Sequence, residues 1–123
     1  MVVEFAISPI GKPRMTARDR WGTNKRPAVI RYHAFKDELN LKANLLQFQL
    51  PDEFEIEFHV PMPASWSTKR QATMNGQPHQ SKPDADNMAK AVMDSLRQDD
   101  SGIWSITIRK YWANKGHITI ITP

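Results

Sequence analysis

Cysteine is absent from the 123 residues, which excludes disulfide bonds and thiolate metal sites. The four histidines, His33, His59, His79 and His117, are scattered and do not repeat at zinc-ligand spacing. No apolar run is long enough to span a membrane. The opening Met-Val-Val-Glu-Phe-Ala-Ile lacks the basic region and long apolar core of a secretion signal, so a cytoplasmic protein without a membrane partner is expected. Gly11-Lys12 has neither the upstream glycine nor the following Ser or Thr of a phosphate-binding loop, and no nucleotide cofactor is expected. There is no internal repeat and no low-complexity stretch.

What is present is enough for one domain, residues 1–123, with a hydrophobic content of 40% and a charged content of 24%. The formal net charge is +4 and the pI about 9.6, which favours a polyanionic partner. From Lys12 to Lys42 there are nine Lys and Arg against three Asp and Glu. Within that segment Trp21 stands among Arg18, Arg20, Lys25 and Arg26, where an aromatic can stack on an unpaired base while the cations meet phosphate. A solvated basic loop anchored by Trp21 is the plainer alternative.

Val3, Phe5 and Ile7 alternate as a strand, and Ser8 to Pro27 reads as a long loop. Phe35, Leu39, Leu45 and Leu46 give an imperfect helical stripe from about Val29 to Gln47. Phe54, Ile56, Phe58 and Val60 alternate with Glu55, Glu57 and His59, a strand with one wet face. Ser67 caps a short helix through Met74 that stops at Gly76. A strand beginning near Ile103 runs through Trp104, Ile106 and Ile108 to Trp112, turns at Asn114-Lys115-Gly116, and returns through Ile118 and Ile120. The order β-α-β-(short α)-α-β-β predicts an α+β fold, helices against a mixed or antiparallel sheet.

The stretch Lys82 to Asp100 carries five of the thirteen acidic residues. Pro83 delays a helix start, so Asp84 and Asp86 fall at its mouth. Met88, Val92 and Leu96 recur every four as a buried stripe, while Asp86, Lys90 and Asp94 recur every four on another face. Capping and an ordinary Asp86–Lys90 pair explain one or two aspartates. They do not explain Asp99 and Asp100, because acids near a helix C-terminus are unfavourable unless neutralised. A hard divalent cation, Mg²⁺ or Mn²⁺, would account for the whole set. The expected order places the helix mouth, Asp84 and Asp86, near the start of the strand at Asp100.

The run Lys82-Pro83-Asp84-Ala85-Asp86-Asn87, followed by Lys90, Asp94 and Asp99-Asp100, resembles the RusA family of Holliday junction resolvases, especially its phage and prophage members. Gly11-Lys12-Pro13-Arg14-Met15-Thr16, Arg18-Asp19-Arg20-Trp21, Tyr32 with Phe35-Lys36, Pro61-Met62-Pro63, Ser65-Trp66-Ser67 and Lys110-Tyr111-Trp112 extend the likeness over most of the chain. Ala85 is smaller than the usual branched residue there, and Arg97-Gln98 is a short lead-in without the aromatic that often precedes the acidic pair. That lead-in leaves open which of Asp99 and Asp100 faces a metal.

The resemblance implies a homodimeric, Mg²⁺-dependent endodeoxyribonuclease that cuts four-way DNA junctions symmetrically, with Mn²⁺ able to substitute. It implies Asp84, Asp86 and Asp100 as metal-binding catalytic carboxylates, Asp99 as the adjacent metal-site acid and Lys90 as the catalytic lysine. DNA contacts are expected from Lys12, Arg14, Arg18, Arg20, Trp21, Lys69, Arg70 and Lys82. His79 is expected near the acids, in company with Lys69 and Arg70. The competing readings are a non-catalytic junction-binding protein and a less selective Mg²⁺ nuclease acting on flaps or single strands.

Overall fold

The computed structural model describes residues 1–14 and 26–123. Among them the elements are β1 (Val2–Phe5), α1 (Pro27–Leu45), β2 (Glu53–Pro61), α2 (Thr68–Met74), α3 (Ala85–Leu96), β3 (Ser105–Ala113) and β4 (His117–Ile121). The sheet order is β1-β4-β2-β3. Strand β4 is antiparallel to β1 and β2, whereas β2 and β3 run parallel in continuous register from Glu53↔Ser105 to Pro61↔Ala113. Parallel neighbours need a crossover, and α2 and α3 form it. The α+β architecture and element order expected from the sequence are therefore observed.

Period-two alternation places Phe54, Ile56 and Phe58 of β2 and Ile118 and Ile120 of β4 in the core, each buried. Helices α1 and α3 pack on each other and close that core with Tyr32, Phe35, Leu39, Met88, Ala89 and Val92. The opposite sheet face carries Glu53, Glu55, Glu57 and His59 along β2, and Glu4 lies in line with Glu57 across Thr119. On it His59 stacks on His117 with ring centroids 3.9 Å apart. Burial and then the His117 charge hold the His59 pKa below the ordinary imidazole value.

Three expectations are corrected. The buried stripe of α1 is Val29, Tyr32, Phe35, Leu39 and Ala43, while Leu45 and Leu46 are exposed. The reason lies at the helix end. Gln47 takes a positive φ of 54°, and the Phe48 N–H reaches back to the Ala43 carbonyl at 2.9 Å, a Schellman-type stop built without glycine. Phe48 and Leu50 then enter the core in place of Leu45 and Leu46. Ile7 is buried, yet β1 ends at Phe5. Strand β3 begins at Ser105, and Trp104 stands outside it, 75% exposed.

Candidate active site

The N-terminal end of α3 is presented to solvent on a fixed base. Met88, Ala89, Ala91 and Val92 bury one side of the helix and leave Asp84, Asp86, Asn87 and Lys90 exposed. Asp84 has the extended N-cap backbone, φ −65° and ψ 147°, but its side chain makes no capping hydrogen bond. An N-cap carboxylate ordinarily accepts from the first turn; here it remains available. Two clamps hold the approach to Asp84. The Lys110 ammonium donates to the carbonyls of Ser81 at 2.8 Å and Pro83 at 2.7 Å. From the other side Gly11 lies so close that a Cβ there would sit 2.8 Å from the Pro83 Cβ, and the Lys12 N–H donates to the Asn87 carbonyl at 3.1 Å.

Lys90 lies one turn beyond Asp86, exposed, and among the described residues it pairs with neither flanking aspartate. Asp94 is committed instead. Its carboxylate meets the Lys12 ammonium at 2.5 Å and accepts from the Tyr32 hydroxyl at 3.0 Å. Burial alone would raise the Asp94 carboxyl, but the Lys12 and Tyr32 hydrogen bonds outweigh it and hold the group below its usual range. Burial and the same carboxylate push the Tyr32 hydroxyl well above the usual phenol range. Asp94 is thus a structural tie between α3, α1 and the segment at Lys12.

At the other end of α3, Arg97 binds Asp52 at 2.6 Å and donates to the Asp99 carbonyl at 3.1 Å. The Asp99 carboxylate accepts from the Ser101 N–H at 2.9 Å, which keeps its pKa below the ordinary value. The Asp100 carbonyl accepts from the Ile103 N–H at 3.0 Å, closing a turn that leaves the Asp100 side chain exposed. This position corrects the expectation that the helix mouth lies near Asp100. Ten residues of α3, from Asn87 to Leu96, lie between Asp86 and the second acid pair, about 15 Å along the axis. The physical reason is the crossover: α3 must return antiparallel to β3, so its start lies near Lys110 and its end near Ser105.

Each pair is an exposed, all-oxygen donor set of the kind Mg²⁺ takes, commonly one or two carboxylates completed by water and phosphate. Among the described residues no three His, Asp or Glu side chains converge within one chain. The donor chemistry fits a hard divalent cation, while the described residues of one copy do not assemble a three-carboxylate site.

The expected DNA contacts divide. Lys12 is half-exposed and tied to Asp94. The Arg14 carbonyl accepts from the Arg26 guanidinium at 2.6 Å, while Arg18, Arg20 and Trp21 lie outside the described residues. Lys69, Arg70 and Lys82 are exposed. Arg70 is stacked 4.0 Å above the Trp66 ring, and Ser67 caps α2 by accepting from the Arg70 N–H at 3.1 Å. His79 does not join the acids as expected: it is buried against Trp112 with ring centroids 4.2 Å apart. Its Nδ1 has no hydrogen-bond partner among the described residues, and burial lowers its pKa. The backbone from Gln77 to His79 runs along β3, exchanging hydrogen bonds with Trp112 and Lys110, and so carries α2 toward the mouth of α3. Sequence reasoning missed the roles of Lys110 and Tyr32 as clamps, although both lie in the motifs quoted above.

No curated protein matches the chain. A family model described as endodeoxyribonuclease RusA matches residues 6–122, nearly the whole sequence and all of the residues just described. The chain belongs to the RusA family of endodeoxyribonucleases, hydrolases of phosphodiester bonds that act on Holliday junctions.

Proposed function

We propose that this protein is a homodimeric, divalent-cation-dependent resolvase that cuts four-way DNA junctions by paired phosphodiester hydrolysis. The observation that carries the reading is the mouth of α3. Two exposed carboxylates, Asp84 and Asp86, stand free of capping duty on a doubly clamped helix end, with exposed Lys90 one turn away. The partial positive charge of the helix N-terminus also suits an approaching phosphate.

Asp84, Asp86 and Asp100 would hold Mg²⁺, or Mn²⁺ in its place, with Asp99 adjacent; the cation supplies Lewis-acid stabilisation of phosphate oxygens. The engagement of the Asp99 carboxylate by Ser101 favours Asp100 as the ligand. Lys90 would bind the scissile phosphate and stabilise the negative charge that develops as the P–O bond breaks. Lys110 would keep Asp84 in place by fixing the carbonyls before it. Lys69, Arg70 and Lys82 would hold the backbone on the side of the crossover helices, while Glu53, Glu55 and Glu57 make the bare sheet face repellent to DNA.

The separation of the acid pairs supports the homodimer. If Asp84 and Asp86 of one copy meet Asp100 of the second, each two-fold dimer contains two complete sites, matching a junction of the same symmetry. Such work belongs to the cytoplasm of a bacterial cell, where the DNA is.

The test is a labelled four-way junction incubated with and without Mg²⁺, beside an Asp86→Asn variant. Paired nicks in opposing strands, lost in the variant while binding survives, are expected. A junction left intact with both Mg²⁺ and Mn²⁺ would overturn the reading. Equal cutting of duplex, flap and single strand would replace it with a less selective nuclease.

A further inference from the structure

Three tryptophans lie among the described residues, and two have ring partners. Trp66 stacks with Trp112 and carries Arg70 on its face, and Trp112 also packs on His79. Trp104 has none among the described residues, and three quarters of its surface meets water. An indole offers one of the largest contact areas of any side chain. Leaving it in solvent on a rigid support is a feature that monomer packing does not explain.

The support is braced by hydrogen bonds on both sides of Trp104. The Trp104 N–H donates to the Asp52 carbonyl at 3.0 Å, and Asp52 is held by Arg97. The Ile103 N–H closes a four-residue turn on the Asp100 carbonyl, while the Ser101 N–H fastens the Asp99 carboxylate. In such a turn the first and last Cα atoms lie within about 7 Å. Trp104 follows immediately after the last. Asp100 and Trp104 therefore flank one braced turn, their Cα atoms within about 11 Å of each other.

The geometry points to Trp104 as a base-stacking residue that takes an unpaired nucleobase beside the phosphate held at Asp100. The inference rests on the junction-cutting reading proposed above and adds how the strand is presented. Successive bases in a duplex strand rise about 3.4 Å, so a nucleotide whose phosphate reaches Asp100 brings its own base or the next within reach of the indole. Bases at a four-way crossover are the ones most easily unpaired, and every base has a π-face, so stacking recognises structure without sequence. The surroundings are the acids Asp52, Asp99 and Asp100 and one cation, Arg97, whose guanidinium is already engaged by the Asp52 carboxylate and the Asp99 carbonyl. The indole's contribution is thus an apolar surface for the base, with charge neutralisation left to the cation and the basic residues.

The experiment uses a four-way junction carrying 2-aminopurine at the crossover, titrated into Asp86→Asn protein with Trp104 intact, Trp104→Ala, Trp104→Phe or Trp104→Leu. In parallel, junction cleavage is measured for the wild-type protein and the single Trp104→Ala variant, and all variants are sedimented. We expect Trp104→Ala to weaken junction binding about fivefold to a hundredfold, to abolish most of the 2-aminopurine fluorescence change and to leave duplex binding unaltered. Phe should restore much of the loss and Leu little of it. Three results overturn the inference: Trp104→Ala binding and cutting like the wild type, Leu rescuing as well as Phe, or Trp104→Ala sedimenting as a smaller species than the wild type. The last would make Trp104 a subunit contact. If the wild-type protein leaves the junction uncut, the nuclease reading fails on its own, and the titration still decides Trp104: a loss in Trp104→Ala that Phe restores supports stacking, and no loss ends it.

Discussion

The ammonium of Lys110, from β3, lies 2.7 Å from the carbonyl of Pro83, the residue immediately before Asp84, and 2.8 Å from that of Ser81. A lysine so placed fixes backbone rather than pairing with a carboxylate, and the backbone it fixes aims two candidate metal ligands. Displacement of catalytic groups by as little as about 1 Å is worth up to about a hundredfold in rate. Lys110→Met is expected to lower the cleavage rate about tenfold to a hundredfold and raise the Mg²⁺ concentration needed for half-maximal rate, with junction affinity changed less than about threefold. Lys110→Arg should recover part of the rate. Single-turnover cleavage across a Mg²⁺ titration, with gel-shift binding beside it, measures all three.

Lys90 offers the opposite case. Its side chain is exposed and pairs with neither Asp86 nor Asp94 among the described residues, so its removal breaks no ion pair there. Lys90→Met should therefore leave urea-unfolding stability within about 0.5 kcal/mol of the wild type. Cleavage should fall by about a hundredfold to a thousandfold, as when a group that stabilises transition-state charge is removed. Equal loss of binding and of rate would assign Lys90 to affinity alone.

Much of this was readable from residue order because local signals agreed. The alternation of Phe54, Ile56 and Phe58 and the four-residue recurrence of Met88 and Val92 name the buried faces correctly. Ser67 caps where a serine before a short helix should, and Gly76 takes the positive φ that ends it. The exit of α1 was hidden because Gln47, not glycine, takes the left-handed conformation there. At the site, the residue types and the wet face of α3 were legible, but the relation of its two acid pairs was not. Proximity depended on the direction of α3 against β3, which follows from the parallel pairing of β2 and β3 and from no local pattern. Trp104 misled for a similar reason: alternation extends the strand through it, whereas the turn closed by Asp100 and Ile103 holds it outside.

The Asp94 tie makes stability depend on pH at both extremes. Its folded carboxyl sits below the ordinary range, so its contribution is present above the unfolded pKa and is lost as pH falls through the folded value. The folded Tyr32 hydroxyl sits above the ordinary range, so its contribution is complete below about pH 10 and declines as pH rises further. Asp94→Asn should cost about 1–2 kcal/mol near neutral pH and flatten the wild-type decline between about pH 5 and pH 2. Tyr32→Phe should flatten the alkaline decline instead. Urea midpoints across pH check both, and a steep acid limb retained by Asp94→Asn would assign that limb to other carboxylates.

The division of acids between the two ends of α3 has a consequence for mixed dimers. If each site draws Asp86 from one copy and Asp100 from the other, Asp86→Asn and Asp100→Asn proteins are each inactive alone. A mixed dimer of the two has one site with both lesions and one with neither. Co-refolded mixtures should then regain nicking in one strand, approaching a quarter of the wild-type site number at equal amounts, since half of the dimers are mixed and each has one intact site of two. If each site is built within one chain, every site in the mixture carries a lesion and no activity returns. The distinction does not depend on how strongly either substitution impairs its own homodimer, provided both are inactive. Nicking by the mixture, compared with each variant alone and with the wild type at equal protein, therefore reports directly whether the gap of about 15 Å along α3 is bridged by a second copy.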